Sequence, residues 1–329
     1  MPFSTTLDGS GDFARGRVLC ASRSRYELHH IAYTDWCRSG ERGTVICVHG
    51  LTRQGRDFDF LARALIDEGY RVICPDLVGR GLSGRLTNPV DYDLPQYVLD
   101  MTTLIASLGT NEVSWVGCSL GGQIGIILAG MPNSPIRRLL VNDIGPYMPV
   151  SAVLRIGRYV RHGPARFASN EVADRYFRDI LAPFGNLTDD QWRHLVEHSI
   201  MPDEEGGYRF RFDRAIVRGF RPPWNYTDKL WSLWNQINCP ILIFRGIESD
   251  LLLQETAEEM VARNTNAQLL VFADCGHLPP LLDNDQIQIV RDWLGGQIVG
   301  FSATERLVEA RRARAKASRP ESAKNARRS

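Results

Sequence analysis

The 329-residue sequence has no run approaching the ~20 consecutive apolar residues that a membrane-spanning helix needs, so a spanning helix is excluded. Its first residues, Met-Pro-Phe-Ser-Thr-Thr-Leu-Asp, have neither the basic region nor the apolar stretch of a secretory leader, and an unexported, cytoplasmic protein is expected. Net charge is also scarce. The 39 Lys and Arg balance 38 Asp and Glu to leave +1, which excludes a chain built throughout to grip nucleic acid or another polyanion. The seven cysteines form no C-x-x-C pair and are odd in number, so neither a disulfide framework nor a cysteine zinc site is expected. No internal repeat is present.

Hydrophobic residues are abundant at 43%, enough for a buried core, and the length suggests about two structural units. Charge is unevenly spread: residues 303–329 carry +6 and the remainder −5. The basic segment has almost nothing apolar to bury and is expected to be a disordered tail, with attachment to an anionic surface as an alternative role. From residue 17 onward, short β-branched runs alternate with helical stretches, as in a sheet covered by crossover helices. Strands are predicted at 17–21, 26–34, 44–48, 71–74, 113–117, 138–142, 241–245 and 268–272, and helices at 57–69, 94–108 and 120–131. The runs from 44 onward are apolar on both faces, which suits buried parallel strands. Between the sixth and seventh strands the pattern is interrupted by some ninety residues. Helical pieces are predicted there at 151–161, 170–181, 188–199, 210–219 and 226–236, with four of the seven Trp residues, at 192, 224, 231 and 234. An aromatic insertion beyond the carboxyl ends of a parallel sheet is placed where a substrate lid would sit.

The most specific motif is Gly117-Cys118-Ser119-Leu120-Gly121-Gly122, a G-x-S-x-G pattern directly after a predicted strand and before a predicted helix. Such a turn forces the serine into a strained conformation that lifts its hydroxyl above the sheet. The following helix start favours negative charge developing nearby. A serine hydroxyl needs a general base to attack, and the base needs an orienting acid. Of the seven histidines, His277 is best placed, in the loop Asp274-Cys275-Gly276-His277 after the last predicted strand. Asp250, just beyond the preceding strand, is the expected acid. Asp143, at the end of 138–142, is its rival.

With His49-Gly50-Leu51-Thr52 and Asp76 to Ser83 added, the motifs in the order Ser119, Asp250, His277 resemble those of the α/β-hydrolases from about Gly43 to Leu294. The resemblance implies an α/β fold with a mostly parallel eight-stranded sheet flanked by helices and a helical cap inserted after strand 6. It divides the chain into a core of 1–146 and 237–302 and a cap of 147–236. It also implies that the backbone N–H groups of Leu51 and Leu120 form an oxyanion hole. Haloalkane dehalogenases and epoxide hydrolases of this fold have aspartate where Ser119 stands. Carbon-carbon hydrolases typically carry Trp after the histidine, where this chain has Leu278-Pro279. Proline iminopeptidases have a Gly-Gly-Pro-Gly type loop and a Trp after the serine, against Leu51-Thr52 and Leu120 here.

The expectation is a serine hydrolase that cleaves a small-molecule carboxylic ester through an acyl-enzyme, with no cofactor, metal or nucleic-acid partner. Carbon-carbon cleavage, thioester or lactone hydrolysis, and a non-catalytic binding module stand as alternatives. The sequence leaves oligomeric state open. Two further features need placing. His194-Leu195-Val196-Glu197-His198 matches a zinc-binding H-x-x-E-H pattern but arises equally in an ordinary helix. Arg53, two positions after Leu51, either contacts substrate or braces the loop through Asp57, Asp59 or Asp76.

Overall fold

A computed structural model describes residues 6–7, 13–24, 27–37, 39–219 and 227–297. The strands are β1 (Thr6–Leu7), β2 (Ala14–Ala21), β3 (Leu28–Trp36), β4 (Thr44–Val48), β5 (Arg71–Pro75), β6 (Val113–Cys118), β7 (Ile136–Asn142), β8 (Ile200–Pro202), β9 (Tyr208–Phe210), β10 (Ile241–Gly246) and β11 (Ala267–Phe272). The helices are α1 (Asp59–Asp67), α2 (Leu94–Ser107), α3 (Leu120–Gly130), α4 (Val150–His162), α5 (Asn170–Ile180), α6 (Asp189–Ser199), α7 (Ile216–Gly219), α8 (Thr227–Trp234), α9 (Gln254–Arg263) and α10 (Asn284–Leu294).

Among the described residues, nine strands form one sheet in the order β1-β2-β3-β5-β4-β6-β7-β10-β11. All eight expected strands are present, and the two-residue β1 extends the edge. Pairing is antiparallel from β1 through β3 to β5 and parallel from β5 to β11. The central strands are buried on both faces because their residues alternate between two apolar layers. Ile46, Val48, Ile241 and Ile243 enter one layer. Val45, Cys47, Leu242 and Phe244 enter the other. Met101 and Leu104 of α2, Ile124 of α3 and Met260 of α9 cover the first layer. Leu61 and Leu65 of α1 with Val290 and Trp293 of α10 cover the second. Each Val, Leu or Ile fully withdrawn from water contributes about 1.5–3 kcal/mol. This continuous double layer therefore fixes the register on which the functional loops depend.

The segment between β7 and β10 holds α4 to α8 together with a two-stranded antiparallel sheet, β8-β9, in the register Ile200↔Phe210. The hairpin corrects the helix expected over 210–219, of which only α7 remains helical. Tyr208, Phe210 and Phe212 alternate with Arg209 and Arg211, a period of two that suits a strand better than a helix. Phe210 packs edge-on against Phe167 at 5.0 Å between ring centres. A capping box between Thr188 and Gln191 starts α6, and the Gln191 amide also donates to the Leu282 carbonyl at 2.8 Å, tying this segment to the chain before α10. The basic segment 303–329 and Trp224 lie outside the described residues.

Candidate active site

Ser119 stands between β6 and α3 with φ 49°, in the left-handed region that a non-glycine residue adopts only under constraint from its surroundings. The constraint is visible in the backbone: Ser119 N–H donates to the Asn142 carbonyl at 2.9 Å, and the Ser119 carbonyl accepts from Gly122 N–H at 2.8 Å. Gly121 is required for the approach of α3, since a Cβ there would lie 2.0 Å from the Val48 carbonyl oxygen. The side chain of Ser119 is half-buried at the start of α3, whose unpaired N–H groups face the same end.

The loop after β4 passes beside this turn. A Cβ on Gly50 would lie 3.5 Å from Ser119 Cβ. The Gly50 carbonyl accepts from His49 Nδ1 at 2.7 Å and from Arg53 N–H at 3.2 Å. A trans peptide points its N–H away from its carbonyl, so these two bonds set the direction of the Leu51 N–H as well. His49 can donate at Nδ1 and accept the Leu77 N–H at Nε2, 2.9 Å away, only as a neutral ring. Burial lowers its pKa to about 3, which keeps it neutral.

The Leu51 carbonyl accepts from Arg80 Nε at 2.8 Å. Arg80 is only 1% exposed, donates further to the Val78 carbonyl at 2.6 Å and the Tyr97 hydroxyl at 2.8 Å, and leaves Nη2 without a hydrogen-bond partner. Sequence reasoning missed this residue. Its signal was the Arg inside Gly79-Arg80-Gly81, which assigns no partner by itself.

His277 follows β11, and its Nδ1 meets Asp143 Oδ2 at 2.6 Å. Asp143 is fully buried and accepts three more bonds, from Gly246 N–H at 3.1 Å, Ser249 Oγ at 2.7 Å and Leu278 N–H at 3.1 Å. Its backbone has φ 55°, a turn that places the side chain between β10 and the histidine loop. These two backbones approach so closely that a Cβ on Gly246 would lie 1.9 Å from the Gly276 carbonyl oxygen. The preceding residue, Asn142, joins the serine turn to the histidine loop. Its backbone carbonyl holds Ser119 N–H, and its side-chain amide donates to the Pro279 carbonyl at 2.7 Å.

Asp250, the acid favoured from sequence, is placed elsewhere. Its side chain is 51% exposed and takes a bidentate contact from Arg155 of α4, at 2.8 and 2.7 Å. The acceptor of the His277 proton is therefore Asp143, and Asp250 ties α4 to the loop after β10. Arg53 is 6% exposed, forks onto Asp57 at 2.6 and 2.7 Å, and donates to Ser199 Oγ at 2.8 Å. Tyr159 of α4 shares a 2.6 Å hydrogen bond with Thr52 Oγ1, a second link between the inserted segment and this loop.

The H-x-x-E-H pattern brings the rings of His194 and His198 to 4.4 Å, near Asp59, while Glu197 is exposed. Asp59 is already held by the Arg56 fork, and His194 Nε2 lies 2.7 Å from the Arg56 carbonyl. The cluster thus joins α6 to the start of α1.

Residues 45–288 match the model of the alpha/beta hydrolase family. The 3-hydroxybutyrate-oligomer hydrolase of Cupriavidus necator is 42% identical over 289 residues, spanning 85% of this chain and 97% of that protein. The 2-hydroxymuconate semialdehyde hydrolase of Pseudomonas putida is 29% identical over 63% of this chain and 70% of its own length. Among solved structures, an alpha/beta hydrolase of Novosphingobium aromaticivorans superposes with a TM-score of 0.75 at 27% identity, covering 86% of this chain and 98% of that one. In sequence and in fold, this chain belongs to the alpha/beta hydrolase family.

Proposed function

We propose that this hydrolase cleaves carboxylic esters through an acyl-enzyme on Ser119, with His277 as base and Asp143 as the acid that orients it. The observation that carries the reading is the 2.6 Å contact between His277 Nδ1 and the buried Asp143 carboxylate. A carboxylate in that position holds the proton on Nδ1 and leaves Nε2 as the basic atom. His277 then takes the Ser119 proton as Oγ bonds to the ester carbonyl carbon. The oxyanion so formed is received by the N–H groups of Leu51 and Leu120. When the intermediate collapses, the imidazolium gives its proton to the departing alcohol. Water, deprotonated by the same ring, then releases the acid and restores Ser119. This cycle needs no metal or cofactor.

We take 147–236 as a cap that closes over this centre from the core formed by 1–146 and 237–302. The Tyr159–Thr52, Arg53–Ser199 and Arg155–Asp250 contacts, each joining the inserted segment to a core loop, support this division. The lack of any disulfide among the described residues supports a reducing compartment such as the cytoplasm. The name of the Cupriavidus necator relative, at 42% identity, supports short oligomers of a hydroxy acid as the ester substrate.

The test is a panel of p-nitrophenyl esters, linear 3-hydroxybutyrate dimer and trimer, a thioester, a lactone and a vinylogous diketone from ring cleavage. Hydrolysis of the dimer and trimer, titrated as released acid and lost in Ser119→Ala, is the expected result. Cleavage of the diketone with every ester untouched would replace the reading with carbon-carbon hydrolysis.

A further inference from the structure

A thiol, an imidazole and a carboxylate meet in the interior at the antiparallel side of the sheet. Cys20 of β2 stands directly opposite His29 of β3 in the strand register, and both side chains turn to the buried face. Asp100 of α2 lies against this pair, with Oδ1 2.9 Å from His29 Nε2. Gln96, one helical turn earlier, donates to the same oxygen at 2.8 Å and to the Ala21 carbonyl at 3.0 Å. The Cys20 thiol has only a long contact, 3.9 Å, to the Asp100 backbone carbonyl, and a bond to the Thr103 side chain.

All three are closed off from water, Cys20 at 1%, His29 at 3% and Asp100 at 0% exposure. Even so, Asp100 Oδ2 and His29 Nδ1 have no hydrogen-bond partner among the described residues. Unpaired buried polar atoms are rare, and two in one cluster mark a missing partner. One sulfur, one ring nitrogen and one carboxylate oxygen of these residues lie within 4.8 Å of one another.

We propose that Cys20, His29 and Asp100 bind one divalent cation of the zinc class, as a structural site separate from Ser119. Thiolate, imidazole and carboxylate are each zinc donors. Their charges also suit a dry interior, because thiolate and carboxylate together cancel two positive charges while the imidazole stays neutral. Donors around a tetrahedral zinc stand roughly 3.3–3.8 Å apart, so side-chain shifts of about 1 Å complete the site, with water in the fourth position. Without metal, burial and Asp100 push the Cys20 thiol up to about 12, so the sulfur carries its proton until coordination expels that proton to solvent. The bound ion fastens β2 and β3 to α2.

The test is titration of the full chain, first stripped by a chelator and dialysed, with cobalt(II) and then with zinc. One equivalent of cobalt should produce a thiolate-to-cobalt charge-transfer absorption, and one equivalent of zinc should remove it and raise Tm. Cys20→Ser should abolish the absorption and weaken zinc binding at least about a hundredfold, and Asp100→Asn should weaken it at least about tenfold. Cys37→Ser, which removes an exposed thiol, should change neither. No saturable binding of either metal below millimolar concentration overturns the proposal. So does absorption that survives in Cys20→Ser or vanishes in Cys37→Ser, or zinc affinity undiminished in Asp100→Asn. Zinc bound equally well by Cys20→Ser would place the ion at His194 and His198 instead.

Discussion

The carboxylate of Asp143 lies 2.6 Å from Nδ1 of His277 and is closed off from water on every side. Three other donors, Gly246 N–H, Ser249 Oγ and Leu278 N–H, fix the same carboxylate. The imidazole is thus held by a group that cannot itself swing away, and Asn142, one residue earlier, anchors the serine turn to the same strand end.

Replacing Asp143 with Asn removes the charge that holds the His277 proton on Nδ1 and should lower kcat by about 10⁴, as loss of the orienting aspartate does in a comparable triad. Asp250→Asn, which breaks only an exposed ion pair worth about 0–1 kcal/mol, should leave kcat within a fewfold of the unaltered enzyme. Steady-state kinetics on variants with matched melting curves give the ranking. A larger loss from Asp250→Asn would return the acid to that position.

How much of this centre was legible in the sequence follows from how local each signal is. Ser119 and His277 announce themselves through their neighbours: a glycine-flanked turn between strand and helix, and a glycine-led loop after the last strand. The acid proposed here does not, because Asp143 and Asp250 both follow carboxyl ends of adjacent parallel strands, β7 and β10. What separates them is the left-handed turn at Asp143 and the presence of Arg155, 95 residues from Asp250 in the chain. Arg53 was half legible, since Asp57 stands one helical turn away, whereas Ser199 reaches it only through the folded insert. The parallel strands were read closely because burial on both faces leaves continuous apolar runs. The β8-β9 hairpin was missed because its strands are three residues each and one begins beside a helix end.

Arg80 should matter to turnover more than to substrate affinity. Its Nε fixes the Leu51 carbonyl and with it the peptide plane beside Ser119. Removing one direct oxyanion donor costs on the order of 10²–10³ in kcat, so releasing that peptide through Arg80→Met should cost on the order of tenfold to a hundredfold. KM should change little, and Arg80→Lys, which keeps the charge but not the fork, should fall between. Equal losses in kcat and substrate affinity would show that the residue merely packs.

The buried neutral His49 makes stability depend on acid. Its pKa is about 3 folded and near 6.5 unfolded, so its contribution is complete above pH 6.5 and is lost as the pH falls through that window towards 3. Asp76, raised by burial to about 6, acts oppositely: its contribution is present at low pH and lost as the pH rises from about 4 to 6. Comparing urea unfolding of the unaltered protein and His49→Gln at several pH values cancels the Asp76 background. The change in stability per pH unit between pH 4 and 6 should be more negative in the variant than in the unaltered protein, by up to about 1.4 kcal/mol per pH unit, the value for one proton. Parallel slopes would mean that His49 is protonated in the folded protein.

The most direct test of the central claim is mass spectrometry of the protein after reaction with an organophosphate ester. One adduct is expected per chain, located on Ser119 in the peptide map, and formed orders of magnitude more slowly in Asp143→Asn and His277→Ala. Adduct on another residue, or labelling of Ser119 at an undiminished rate in both variants, would contradict the assignment of Ser119, His277 and Asp143 as one catalytic unit.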